Sequence, residues 1–184
     1  MRVIAGSWRG RRLSAPTGID MRPTTDRVKE AMFSILGTRI GGAEVADLCC
    51  GCGGLGIEAL SRGAWHVHFV DLAAAALRQA RRNLAACGAA GETFTLSRSE
   101  ASRWLRQRFE RLGERPLIVL ADPPYADKLG EVLWELLLGI SAEGGLAAAI
   151  LECPRALSLP VPERSSFRIR RRHYGASALM IMEA

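Results

Sequence analysis

The chain has 184 residues, 48% of them hydrophobic, enough for one domain with a proper core. No apolar stretch reaches membrane-spanning length, and Met1-Arg2-Val3-Ile4-Ala5-Gly6-Ser7 lacks a signal-peptide core, so no membrane association is expected and the cytoplasm is the expected location. The net charge of +6 is uneven: residues 1–40 carry net +5, residues 41–160 net −2 and residues 161–184 net +3, which implies a polyanion-binding face if the two basic ends meet in space.

Val3 to Pro16 mixes apolar and basic residues around Gly6 and Gly10, and reads as a short hairpin or arm exposing Arg9, Arg11 and Arg12. Next, Val28, Ala31, Met32, Ile35 and Leu36 fall at helical spacing, with Thr25 or Asp26 as N-cap and Gly37 as stop. From Glu44 strand and helix patterns alternate. Strands are predicted at 44–49, 66–71, 93–97, 117–122 and 146–152, and helices at 55–62, 73–86, 100–112 and 128–139. Short strands separated by helical stretches call for βαβ units and a mostly parallel sheet. The tail differs: residues 167–173 and 177–183 flank Tyr174-Gly175-Ala176 and read as a terminal antiparallel pair. The fold expected is α/β, doubly wound, with seven strands and a small N-terminal extension. One domain spans 1–184, divided into a basic extension and helix at 1–40 and a core at 41–184.

The five cysteines are odd in number, and Cys49, Cys50 and Cys52 crowd one tight loop. That spacing suits neither a secreted disulfide framework nor a zinc site, which needs a second ligand pair. No metal is expected, and the thiols read as small side chains under the loop.

Two segments carry chemistry. In Asp47-Leu48-Cys49-Cys50-Gly51-Cys52-Gly53-Gly54-Leu55-Gly56, Gly51, Gly53 and Gly56 match G-x-G-x-x-G, and Asp71 stands twenty residues beyond Gly51 at the end of the next strand. Glycines allow close backbone approach to a ligand, and an acid at that distance suits ribose hydroxyls. A dinucleotide dehydrogenase would share this pattern. Asp47, however, sits where a pyrophosphate would be repelled and a ligand ammonium welcomed, and a nucleoside carrying an amino acid satisfies both acids: S-adenosylmethionine. The structural alternative for each acid is a solvated carboxylate at a strand end. In the second segment, the apolar run Leu117–Ala121 stops at Asp122-Pro123-Pro124-Tyr125. Two prolines cannot continue a strand, so the chain turns a stiff corner presenting a carboxylate, carbonyls and an aromatic ring, equipment for gripping a flat base by its amino group.

Asp47–Gly56, Asp71 and Asp122–Tyr125 together resemble the first, second and fourth motifs of class I S-adenosylmethionine-dependent methyltransferases. More narrowly, Arg22-Pro23-Thr24-x-x-Arg27-Val28-Lys29-Glu30-Ala31-Met32-Phe33, Glu58-Ala59-Leu60-Ser61-Arg62-Gly63-Ala64 and the Tyr174-Gly175 corner resemble the RsmD family. The resemblance implies a bacterial enzyme that methylates the N2 amino group of one guanine in 16S ribosomal RNA, with a 30S subunit or assembly intermediate as the expected partner; no interface stripe in the sequence argues against a monomer. It implies that Asp122 and the Pro123 carbonyl accept the amine's hydrogens, with Pro124 completing the corner and Tyr125 stacking on the base. It places Asp47, Gly51, Gly53, Gly56, Asp71 and Leu72 around the cofactor, Glu100 near its adenine, and Arg22 and Thr24 at its methionine end or the RNA entrance. Glu100 could instead be an ordinary first-turn helix acid. Arg9, Arg11, Arg12, Arg168, Arg170, Arg171 and Arg172 are candidate phosphate contacts, foremost Arg9, Arg11, Arg12, Arg170 and Arg172.

The chain departs from the family pattern at Cys50 and Cys52, where Ala and Ser are commoner, and at Ala176-Ser177, where Asp and Thr often follow the corner. A thiol at Cys52 beside the cofactor would make the enzyme oxidation-sensitive. The alternatives are an adenine-N6 or other amino-group methyltransferase, and a non-catalytic RNA-binding assembly factor keeping the fold.

Overall fold

In a computed structural model, the structure describes residues 1–15, 25–110, 116–125, 127–140 and 145–184. Five helices and seven strands follow the alternation of the sequence. They are α1 Asp26–Leu36, β1 Glu44–Leu48, α2 Gly54–Ser61, β2 His66–Asp71, α3 Ala74–Cys87, β3 Phe94–Arg98, α4 Ala101–Phe109, β4 Leu117–Ala121, α5 Leu129–Leu138, β5 Leu146–Pro154, β6 Arg168–Tyr174 and β7 Ser177–Glu183. Thr25 is the N-cap of α1, its side chain accepting from the Val28 N–H at 3.3 Å, and Gly37 ends the helix at φ 56°.

The strands form one sheet in the order β3-β2-β1-β4-β5-β7-β6. β1 pairs in parallel with both β2 and β4, β2 with β3, and β4 with β5; β7 is antiparallel to both β5 and β6. The strand order therefore reverses between β1 and β4. In open α/β sheets a ligand lodges at that crevice, beyond the carboxyl ends of the strands. β1 and β4 are buried on both faces, as central parallel strands must be.

Two apolar layers cover the sheet. On one face α1, α2 and α3 bury Met32, Phe33, Ile57 and Leu84 against Val45, Phe69, Ile118 and Ile181. On the other α4 and α5 bury Leu105, Leu133 and Trp134 against Ala46, Leu48, Val119 and Met180. The N-terminal segment is a hairpin, as its sequence suggested, with an antiparallel bridge between Arg2 and Arg12. Val3 and Leu13 anchor it in the first layer, which also holds α1 and has Tyr174 of β6 packed against it. Arg27 of α1 and Arg168, Arg170 and Arg172 of β6 line one groove, so the two basic ends share one face of the sheet.

Candidate active site

The glycine loop begins where β1 ends. Cys49 adopts φ 58°, the only positive φ of a non-glycine residue among those described, and Gly51 and Gly53 follow at 54° and 84°. This run of left-handed residues turns the chain from β1 into α2, whose N-cap is Gly53. Gly56 serves a different purpose from ligand approach. A Cβ there would lie 2.3 Å from Phe69 Cε1 and 2.9 Å from Val67 Cγ1, so its missing side chain lets α2 pack directly on β2.

Both acids of the first segment hold this loop in shape. Asp47, 1% exposed, accepts the Gly56 N–H at 2.8 Å. It is therefore a buried strut between β1 and the first turn of α2 rather than a solvated strand-end carboxylate. Asp71 accepts the Gly51 N–H at 2.9 Å on one oxygen and the Ala73 N–H at 2.8 Å on the other, tying the loop to the end of β2. Each oxygen keeps a lone pair beyond these bonds, so the bonds leave acceptor capacity for a ligand.

Three carboxylates gather at the switch point. Burial pushes the Asp47 carboxyl up to about 7; the Gly56 N–H opposes the rise, and the charges of Asp71 and Asp122 reinforce it. Burial likewise raises the Cys49 thiol, with Asp71, Asp47, Asp122 and Asp127 adding to the effect. Such a mouth repels a pyrophosphate and favours a cation. Beyond Asp71, Leu72 is 66% exposed and lines a cavity of about 1040 Å³ with Ser97, Ser99 and Glu100. Glu100 is the N-cap of α4 rather than a first-turn residue, and its carboxylate accepts from the Ser102 hydroxyl.

The Asp-Pro-Pro-Tyr corner leaves β4 directly beside the glycine loop. Pro123 is buried, Asp122 half-buried, and Pro124 and Tyr125 face solvent. The Tyr125 hydroxyl donates to Glu152 Oε1 at 3.1 Å and lies 2.9 Å from Ser177 Oγ. A carboxylate can only accept, so the phenol proton goes to Glu152 and the Ser177 hydroxyl donates to the phenol oxygen. Burial pushes the phenol up to about 12, with Ser177 opposing and Glu152 reinforcing, so Tyr125 is neutral at ordinary pH. Glu152 is 4% exposed, and its Oε2 is buried with no hydrogen-bond partner among the described residues. Ser177, where the sequence left a role in doubt, thus joins the terminal hairpin to the corner.

The comparisons with known proteins agree with this architecture. A family model described as Conserved hypothetical protein 95 matches residues 1–183. YlbH of Bacillus subtilis (strain 168) is 36% identical over 190 residues, spanning 98% of this chain and 97% of its own. The protein named Ribosomal RNA small subunit methyltransferase D of Escherichia coli (strain K12) is 38% identical over 137 residues, which cover 74% of this chain and 66% of that protein. This chain belongs to that family, the RsmD family. The solved structure of yhhF from Escherichia coli superposes with a TM-score of 0.75 at 31% identity, covering 100% of this chain and 98% of the other. A Thermus thermophilus protein superposes at 0.79 with 28% identity, covering 100% and 99%.

The family segment Glu58–Ala64 turns out to be a dock for the N-terminal hairpin. Glu58 is wholly buried and accepts the Ile4 N–H at 2.7 Å, the Ala5 N–H at 2.9 Å and Arg62 Nε at 2.8 Å, with Lys29 Nζ at 3.6 Å. Ser61 accepts the Trp8 N–H at 2.9 Å and donates to the Ala5 carbonyl at 2.6 Å. A Cβ on Gly6 would stand 1.8 Å from the Ser61 carbonyl oxygen, so only glycine permits this approach. Asn83 of α3 joins the hairpin to the glycine loop: its Nδ2 donates to the Ser14 and Cys52 carbonyls, and its Oδ1 accepts the Ser14 N–H. Asn83 and Glu152 were not singled out from the sequence, and Glu58 stood there only as part of the family segment; an acid inside an otherwise apolar helix or strand was the available signal for the two glutamates.

The remaining candidates separate by position. Arg22 and Thr24 lie outside the described residues. Arg9 and Arg12 are exposed, whereas Arg11 donates to the Ala86 carbonyl near the end of α3 and so also tethers the hairpin. Arg171 turns to the opposite side of β6 from Arg170, donating to the Arg155 and Leu157 carbonyls. Cys50 and Cys52 are buried, and burial raises both thiols, which disfavours the reactive thiolate form.

Proposed function

We propose that this methyltransferase transfers the methyl group of S-adenosylmethionine to the exocyclic N2 of a guanine in 16S ribosomal RNA, acting in the cytoplasm as a single-domain monomer on a 30S subunit or assembly intermediate. The observation that carries the reading is the convergence of Asp47, Asp71 and Asp122 on the β1–β4 switch point beside a rigid Asp-Pro-Pro-Tyr corner. Carboxylates crowded at a ligand site repel one another, and a ligand with a sulfonium and an ammonium relieves that repulsion. The residues present therefore fit S-adenosylmethionine: the backbone of the Gly51–Gly54 turn would hold it, Asp47 and Gly56 keep that turn in shape from beneath, and Asp71 and Leu72 lie towards the ribose and adenine with Glu100 beyond them. The cofactor supplies an electrophilic methyl group; the rest of the work falls to the chain.

The amine of guanine is a poor nucleophile because its lone pair is delocalised into the ring. Asp122 and the Pro123 carbonyl, as acceptors for its two N–H groups, favour the more tetrahedral nitrogen and the positive charge developing there. Tyr125 stacks on the base, a contact worth about 1–3 kcal/mol. Its ring is held from behind by Glu152 and Ser177, so stacking does not have to freeze a mobile side chain. No strong base is needed, since the methylated ammonium is acidic and, once the methyl has transferred, gives up its proton to the Asp122 carboxylate, which passes it to solvent. Bringing amine and methyl into contact is the larger contribution, and the target base must leave its stack to enter. The family relatives named Ribosomal RNA small subunit methyltransferase D support ribosomal RNA as substrate.

The test is transfer of labelled methyl from S-adenosylmethionine to 30S particles from cells lacking the enzyme. Label released as N2-methylguanine from 16S RNA is expected. Tight cofactor binding without transfer would instead favour an assembly factor, and label in N6-methyladenine would move the substrate to adenine.

A further inference from the structure

The helix α1 and the edge strand β6 enclose a groove of about 760 Å³. Its walls carry Arg27 on α1, Arg39 in the 3-10 turn after it, and Arg168, Arg170 and Arg172 on β6, with Tyr174 at one end. Against these five arginines stand two glutamate side chains, Glu30 and Glu183. Burial pushes the Glu183 carboxyl up, but the Arg39 and Arg170 guanidiniums outweigh it and hold it below the usual range. Glu183 thereby fixes those two arginines, while Arg168 and Arg172 are exposed on the same side of the strand.

Charged residues on an edge strand can simply block pairing with other chains. That role does not call for Arg27, Arg168 and Arg172 around one groove in addition to the pair that Glu183 balances, a concentration that costs self-repulsion and serves a bound anion. The alternation of β6 puts Arg168, Arg170 and Arg172 on one face at a spacing of about 6.8 Å, twice the rise of an antiparallel strand. A row of cations at that interval suits successive phosphates of one nucleic-acid strand. The row also points somewhere. Tyr174 is the register partner of Ser177, and Ser177 holds the Tyr125 hydroxyl, so the groove ends beside the catalytic corner.

Resting on the reading of the corner as a ribosomal RNA methylation site, we propose that the α1–β6 groove binds the phosphates of the single-stranded RNA flanking the flipped guanine. Tyr174 offers a ring to the nucleotide nearest the corner, and Arg27, Arg168 and Arg172 contact the phosphates beyond it. Cationic grooves with an aromatic platform hold single strands in this way, without reading sequence.

The experiment measures binding of a short single-stranded RNA oligonucleotide against salt concentration for the wild type, Arg168→Gln/Arg172→Gln and Arg168→Lys/Arg172→Lys. Methyl transfer to 30S particles, cofactor affinity and melting temperature are measured alongside. Each phosphate contact contributes about 0.7 to the salt slope for a single strand, so the Gln pair lowers the slope by about 1.4 and raises KM, while cofactor affinity and melting temperature hold and the Lys pair keeps the slope. An unchanged slope and KM in the Gln pair, with wild-type transfer intact, overturns the groove and leaves the catalytic reading standing. Equal competition by an acidic polypeptide assigns the groove to a protein partner and also overturns the proposal. Absence of transfer by the wild type, with the slope change present, overturns the catalytic reading and leaves the groove.

Discussion

Removing Glu58 should loosen the molecule far from any chemistry. Glu58 and Lys29 are both fully buried, and Glu58 also satisfies two backbone N–H groups of the hairpin and Arg62 Nε. Glu58→Ala leaves the Lys29 ammonium without its anionic partner and orphans the Ile4 and Ala5 donors. Breaking a buried pair by deleting one member costs about 3–5 kcal/mol, a large part of the roughly 5–15 kcal/mol that holds a domain together. For a domain of this size that corresponds to a fall in melting temperature of roughly 6–20 °C. Burial already holds the Lys29 ammonium below its ordinary pKa of 10.5, with Glu58 pulling it back up. Without Glu58 the folded pKa drops further, so between that lowered value and 10.5 the folded state binds fewer protons than the unfolded state. The deficit is therefore fully present below the folded pKa and shrinks as pH rises through it. Thermal unfolding across pH measures this, and limited proteolysis near residues 4–8 reports release of the hairpin. Lys29→Met with Glu58→Gln should recover only the charge part of the loss, since the Gln carbonyl can accept from one of the Ile4 and Ala5 N–H groups while its NH2 leaves the other unpaired. A Glu58→Ala variant within 1 kcal/mol of the wild type, with its hairpin still protected, would refute the dock.

Gly56→Ala should cost about 1–3 kcal/mol, because its Cβ would press into the buried ring of Phe69; Gly91→Ala, with nothing within 4 Å, should stay within about 0.5 kcal/mol by denaturant titration. Equal effects would contradict the packing role of Gly56. Asp122→Ala should lower kcat by roughly 10²–10³-fold, the scale of one preorganised partner, while calorimetric cofactor affinity barely moves. Loss of both together would remove Asp122 from the amine. The Asp47 carboxyl, raised to about 7 from 3.8, binds a proton more readily folded than unfolded, so stability contributed at this site falls as pH rises through that window, and Asp47→Asn should abolish that part of the slope. Tyr125→Phe should destabilise by about 1–3 kcal/mol through the stranded Glu152, with Ser177→Ala adding little in that background; full additivity of the two would argue against a shared network.

The alternation of strands and helices was legible because each parallel strand here is an apolar run with a turn signal behind it, as Leu117–Ala121 ahead of Asp122-Pro123 shows. Boundaries shift where tertiary pairing intervenes: β5 runs to Pro154, beyond the expected residue 152, because β7 pairs along it as far as Ser177. The sheet order of the terminal pair was also written in composition, though less plainly. β7 is buried at every position and lies inside the sheet, whereas the arginines of β6 mark the edge.

What the site conceals are polar groups whose partners are distant in sequence. Asn83 reaches Ser14 and Cys52, Glu58 reaches Ile4, and Glu152 reaches Tyr125. Periodicity sees only that such residues sit on a buried face, and cannot say which donor arrives there. Gly56 shows the opposite error: its motif suggested space for a ligand, and the space is filled by Phe69.

The most direct measurement of the central claim is mapping of modified nucleotides in 16S RNA from a strain lacking this protein. One N2-methylguanine is expected to disappear, to return with the wild-type chain and to stay absent with Asp122→Ala. An unchanged 16S modification pattern, or restoration by Asp122→Ala, would contradict that claim.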